Sequence, residues 1–190
     1  MSERIQGVRP KEYKGVRYKS TLEAETAETL DKLGLPINYE ARKIVLLEGF
    51  RCPYQKNKVI GISYKPDFLV GNIIIECKGF ETPEWRNKKK YIFKYLMENE
   101  PDTPFYQTRN SRKDVLLALD NHWSLLGYAI QVTSKGSPKK PSKTQLFDSV
   151  SQAMYELGLQ GKNVGPVLKS MMGDKEWAYN YNWTLKKLAL

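Results

Sequence analysis

The chain reads as a mixed α/β protein. Segments of helical period alternate with short strand-like runs, in the order helix, strands, helix, strand, helix, strand. Several helical segments open on Ser or Thr caps. One apolar stretch, "YKPDFLVGNIIIECKG" (64–79), is split by Gly-Asn as a tight hairpin would be.

Taken in order, "STLEAETAETLDKLG" (20–34) predicts a helix with Ser20 as cap, Leu22, Ala27, Leu30 and Leu33 near one face, and Gly34 as the stop. "INYEARKIVLL" (37–47) is extended, rich in β-branched and aromatic residues. "YQKNK" (54–58) is a turn, and "VIGISYKPDFLV" and "IIIECKG" follow as strands. "TPEWRNKKKYIFKYLMENEP" (82–101) predicts a helix with Thr82 as cap and Pro83 at its first position. Trp85, Ile92, Phe93 and Leu96 would form its buried stripe, with Arg86, Lys88, Lys89, Lys90 and Lys94 on the exposed side. "PFYQT" is a strand, "SRKDVLLALDNHW" a further capped helix, and "YAIQV" (128–132) a strand. "TSKGSPKKPSK" (133–143) has nothing to bury and reads as a basic linker able to lie along phosphates. It divides a domain over 1–132 from a small unit over 144–190.

Charge narrows the partner. There are 31 Lys and Arg against 21 Asp and Glu, a net +10, which points to a polyanion and first to nucleic acid. Two cysteines, Cys52 and Cys77, cannot build a disulfide framework or a Cys-rich zinc site. A single histidine, His122, excludes His-rich zinc and His-based nuclease sites; it reads as a helix-end residue. The first residues lack an apolar signal core and no run reaches membrane-span length, so the expectation is a protein of the cytoplasm with no membrane partner.

The hairpin carries the chemistry. With Gly71-Asn72 as its loop, positions summing to 143 lie opposite. Phe68 then faces Ile75 and Asp67 faces Glu76. Strand alternation puts Phe68, Val70, Ile73, Ile75 and Cys77 on one side, and Asp67, Glu76 and Lys78 on the other. Like charges placed opposite each other destabilise a sheet unless a cation lies between them. Two hard oxygen donors suit Mg²⁺, with Mn²⁺ able to substitute and the Cys77 backbone carbonyl available as a further ligand. Such an ion acidifies coordinated water, and Lys78 can orient that water or neutralise a phosphate. The bland alternative is a solvated face on which each acid pairs with a lysine, Lys65 being placed to do so. Pro66, near the strand start, removes a ladder donor where that costs little.

"PDFLVGNIIIECKG" resembles the PD-(D/E)xK nuclease motif. The order "YKSTLEAETAETLDKLGLPINYE", "YKPDF", "ECKG" and a basic helix is similar to the phage endonuclease I family of junction-resolving enzymes, over about residues 17 to 98. The resemblance implies a restriction-endonuclease-like mixed sheet flanked by helices. It also implies a catalytic and metal-binding set of Glu23, Asp67, Glu76 and Lys78. "STLE" is at the same time a capping box that would occupy Glu23. "LLEGFRCPYQKNKVIGISY" is longer than the family's segment and reads as a hairpin; in that family the region bridges two intertwined subunits, which leaves a homodimer open.

In the C-terminal unit, "SVSQAMYELGLQGKNVGPVLKSMMG" predicts a helix-turn-helix, with Ala153, Met154 and Leu157 inward on the first helix. Asn163 would cap the second, which buries Val164, Val167 and Leu168. The stretch resembles the small NUMOD-type DNA-binding modules of homing endonucleases; a helical cap on the nuclease is the alternative. Tyr179, Tyr181 and Trp183 alternate as a strand with one buried aromatic face would.

The expectation is therefore a phage-encoded, Mg²⁺-dependent DNA endonuclease of site-directed homing type acting in the host cytoplasm. Its DNA contacts would come from Arg86, Lys88, Lys89, Lys90, Lys139, Lys140, Lys162, Asn163 and Lys169. A Holliday-junction resolvase is the nearest competitor, and a DNA-binding protein that does not cut is the competitor outside the nuclease class.

Overall fold

A computed structural model describes residues 9–109 and 111–189, Ser111 by its backbone alone. Residues 1–8, on which the absence of a signal core partly rested, lie outside it, as does the side chain of Ser111, the cap expected for the helix that starts there. The architecture is mixed α/β, and contacts divide it into two units: residues 37–109, and the remainder on both sides.

The first stretch of the larger unit is a hairpin and a helix. β1 (Lys11–Tyr13) pairs with β2 (Val16–Tyr18) across Lys14 and Gly15, both at positive φ. α1 (Thr21–Lys32) starts at Ser20, whose Oγ accepts from the Glu23 N–H at 3.2 Å, and Gly34 follows its end at φ +72°. Ala24, Ala27 and Leu30 are buried along it.

Residues 37–109 are built on a four-stranded sheet. β3 (Asn38–Tyr39) is followed by a separate two-stranded ribbon, β4 (Ile44–Leu47) with β5 (Ile62–Tyr64). β6 (Phe68–Val70) and β7 (Ile73–Cys77) form the expected hairpin, with Gly71 at φ +59° and the expected register: Phe68 opposite Ile75, Leu69 opposite Ile74, Val70 opposite Ile73. α2 (Pro83–Asn99) then crosses over to β8 (Phe105–Thr108), which pairs parallel to β7. The sheet order is β3-β6-β7-β8. All five residues of β7 are buried, Glu76 included. The face bearing Glu76 is not a polar face, because Ile74 on that face joins Ile44, Tyr64, Trp85, Ile92 and Leu96 in one core cluster. Phe93, expected in the buried stripe, is instead 42% exposed, edge-on to Phe105.

The larger unit resumes with α3 (Ser111–Leu119), packed on α1, and β9 (Tyr128–Ser134). β10 (Thr144–Phe147) pairs with one edge of β9 and β11 (Tyr181–Lys187) with the other, all antiparallel. Between β10 and β11 lie α4 (Val150–Glu156) and α5 (Gly165–Met171). Val167, Leu168 and Met171 are buried, and α5 lies against β11.

Two expectations change here. The stretch 133–143 is not a tether: it completes β9 and folds as the β9–β10 hairpin, with Ser134 and Lys143 hydrogen-bonded and Ser137 bridging Lys140. Gly, Pro and Ser signal a turn as readily as a linker, and a central strand needs partners on both edges. A boundary at 144 therefore cuts through one sheet. Tyr179 belongs not to a strand but to a tight turn, because Tyr179 and Asn180 both have positive φ and Ala178 bridges Tyr181. Trp183, the strand's buried aromatic, is fully enclosed and donates from Nε1 to the Ala178 carbonyl at 3.1 Å.

Candidate functional site

The site lies where the β6–β7 ladder stops. Continuing the register would place Pro66 opposite Cys77, but proline has no N–H, so the ladder cannot pass through that pair. The chain bends at Asp67, whose carboxylate turns in and accepts the Cys77 N–H at 2.8 Å. The Asp67 backbone carbonyl accepts from Glu40 N at 2.9 Å, fixing the bend from the other side.

One residue along β7, Glu76 is only 5% exposed. Its Oε2 accepts from the Tyr64 hydroxyl at 2.7 Å, and Tyr64 is itself buried at the end of β5. Burial first, and then the Asp67 charge, push the Glu76 carboxyl up to about 8; the Tyr64 hydrogen bond, the charge of Lys78 and the Asp67 N–H pull against that rise. The same burial, together with the Glu76 charge, pushes the Tyr64 hydroxyl up, which keeps it a donor. Lys65, the lysine placed to pair with one of these acids, bonds Glu40 at 2.9 Å.

Lys78 follows on the same side of β7. Its Nζ stands 4.7 Å from the centre of the Trp85 ring, a cation–π contact at the head of α2. Its N–H bonds the Thr108 carbonyl at 2.9 Å, which holds the end of β7 to β8. Opposite Glu76 in the parallel pair stands Gln107, which accepts from Trp85 Nε1 at 3.1 Å and lies 3.5 Å from Lys89 Nζ. Lys89 also pairs with Glu81, and it holds the Glu81 carboxyl below its usual range.

The structure thus brings Asp67, Glu76, Lys78 and Cys77 together. Glu23 belongs to the other unit, where it closes its capping box: it accepts from Ser20 Oγ at 2.8 Å and from Lys19 N at 3.1 Å. The basic residues of α2 do not share one side. Arg86 and Lys90 are exposed, whereas Lys88 and Lys89 stand on the stripe of Trp85 and Ile92; Lys88 lies 6.0 Å over the Tyr64 ring. Lys139 and Lys140 are exposed in the β9–β10 hairpin. Lys140 lines a cleft of about 320 Å³ with Lys135, Lys143 and Tyr181. Lys162 and Lys169 are exposed, and Asn163 accepts from Gly165 N at 2.8 Å ahead of α5. Sequence reading missed Tyr64, Gln107 and Trp85 as members of the site. The signal was present: a tyrosine hydroxyl and a glutamine amide on strands beside the hairpin need hydrogen-bond partners once covered.

Among the described residues no group of three or more His, Cys, Asp or Glu is gathered to hold a metal ion. Two carboxylates, one of which raises the proton affinity of the other, remain a donor set that a hard divalent cation fits, since Mg²⁺ retains several waters of its own. No known family, curated protein or solved structure matches the chain.

Proposed function

We propose that the chain is a divalent-metal-dependent DNA endonuclease with a restriction-endonuclease-like core in residues 37–109. The observation that carries this reading is the convergence of Asp67 on Glu76 at the open end of a hairpin, deep enough to raise Glu76 to about 8, with Lys78 beside them. Two acids held together in a poorly hydrated corner repel when both are ionised, and a divalent ligand would relieve that repulsion. Asp67, Glu76 and the Cys77 carbonyl would hold Mg²⁺, or Mn²⁺ in its place. When bound, the ion supplies Lewis acidity toward a phosphate oxygen and a water.

The chain's own residues do the rest. Tyr64 fixes the Glu76 carboxylate in place through its 2.7 Å hydrogen bond. Lys78, set against Trp85, presents a cation to the charge that builds on the phosphate during attack. Arg86 and Lys90, exposed on α2, are available to flanking phosphates, and the net charge of +10 favours a nucleic-acid partner.

The test is nicking of supercoiled plasmid with Mg²⁺ or EDTA, using wild type and Lys78→Ala. Mg²⁺-dependent nicking that falls at least about 100-fold in the variant supports the reading. DNA binding with no cutting by either protein identifies a non-cutting binder instead. Cleavage mapping on a linear duplex beside a four-way junction then separates a site-directed homing enzyme from a junction resolvase.

A further inference from the structure

The segment from Ile44 to Tyr64 is an arm whose tip is unlike its base. At the base, Ile44 and Tyr64 pair with each other and are each 2% exposed. Outward along the ribbon Val45, Leu47 and Phe50 are exposed, and Ile60 and Tyr54 reach 88% and 93%. The tip is nonetheless built. Phe50 and Val59 exchange both backbone hydrogen bonds, at 3.1 and 2.8 Å. The strands approach so closely that a Cβ on Gly61 would meet the Leu47 carbonyl oxygen at 2.5 Å. Gln55 N donates to the Cys52 carbonyl at 3.0 Å, closing a turn with Pro53 and Tyr54 at its corner. Proline fixes φ there, so Tyr54 is held at the apex.

The chemistry of the tip selects its partner. Between Phe50 and Ile60 stand Arg51, Lys56 and Lys58 and no carboxylate. None of the three cations is in an ion pair among the described residues. Two copies meeting tip to tip would repel. A partner that offers flat apolar faces between regularly spaced anions satisfies both the ring and the cations, and nucleic acid is that partner. We propose that residues 50–60 are a DNA-probing element, in which Tyr54 stacks on a base while Arg51, Lys56 and Lys58 engage neighbouring phosphates. The proposal rests on the DNA-directed reading above for its partner. It adds the segment that engages bases beside the cut, because the arm's base residue Tyr64 is bonded to Glu76.

The experiment measures binding in EDTA, so that nothing is cut, to a duplex carrying one unpaired 2-aminopurine. Tyr54→Ala is expected to weaken binding about tenfold or more, and Tyr54→Trp to retain it and quench the probe. Arg51→Ala/Lys56→Ala/Lys58→Ala is expected to reduce the slope of log affinity against log salt by about 2 to 3. All these positions are exposed, so thermal midpoints serve as the folding control. Wild-type binding with variants that keep the same affinity, salt slope and probe fluorescence overturns the tip assignment and leaves the nuclease reading intact. No binding by wild type overturns both. Binding that depends on the tip without any Mg²⁺-dependent nicking upholds the tip and removes only the enzyme.

Discussion

The Asp67 carboxylate accepts the backbone N–H of Cys77 at 2.8 Å, standing in for the strand carbonyl that the ladder would otherwise supply. This explains how an acid can be held beside a buried Glu76: the backbone recruits it as an acceptor. Charge and hydrogen bonding are therefore separable at Asp67. Asp67→Asn keeps an acceptor for Cys77 and is expected to change stability by less than about 1 kcal/mol, while Asp67→Ala leaves that N–H unpaired and loses about 1–3 kcal/mol. Both should lose Mg²⁺-dependent nicking. Urea denaturation beside the plasmid assay checks the split; equal stability loss in both variants would contradict it.

Glu76 gives the fold a pH dependence of known sign. Its carboxyl sits at about 8 in the folded chain and in the usual carboxylate range, near 4.5, when unfolded. Between those values the folded state keeps a proton that the unfolded state has released, so stability falls as pH rises through that window and levels off above it. Glu76→Gln, neutral at every pH, is expected to flatten the decline and to be the more stable protein at pH 8 in metal-free buffer. Thermal melts at several pH values from 5 to 9 read this directly.

On the proposed metal reading, the same proton would compete with the ion. An ion can occupy the site only when Glu76 is ionised, so Mg²⁺ binding should release a proton below about pH 8. Two pH units below that value the apparent affinity should be about 100-fold weaker. Mg²⁺ at 100 times its dissociation constant stabilises by about 2.7 kcal/mol. The rise in Tm on adding Mg²⁺ should then be clear at pH 8.5 and nearly absent at pH 6, and absent at both in Asp67→Asn. A shift independent of pH would place the ion elsewhere.

Much of this was legible in the residues. Gly71-Asn72 set the register of β6 and β7, Ser20 and Thr82 marked helix starts, and alternation put Glu76 and Lys78 on one side. What could not be read was depth. Alternation sorts two faces but does not say that Tyr64 of β5 and Trp85, Ile92 and Leu96 of α2 join Ile74 in one cluster, or that Glu76, hydrogen-bonded to that Tyr64, is left only 5% exposed. Lys88 and Lys89 leave the fully exposed side expected of them for a related reason. A long amphipathic side chain can lay its stem on the buried stripe and extend its ammonium to Tyr64 or Gln107. Glu23 fitted two patterns at once, and the local one is formed.

The C-terminal residues were the least legible, because the contact that ties them in is long in sequence. Asp120, 4% exposed, accepts from Val150 N at 2.6 Å, from Ser151 N at 3.1 Å and from Ser151 Oγ at 2.6 Å. A buried carboxylate thus caps α4 from thirty residues away, at the end of the helix where the dipole favours negative charge. Removing it strands two backbone donors, so Asp120→Ala is expected to lose about 3 kcal/mol, with Asp120→Asn intermediate. Because β9 lies between β10 and β11, that loss should lower one transition shared by the whole unit. A detachable helix-turn-helix would behave otherwise: only a minor second transition would move. Limited trypsin digestion offers a second reading of the same point. Cutting within the exposed 135–143 hairpin loop should leave both fragments associated under native conditions, held by β9, whereas a tethered module would separate on gel filtration.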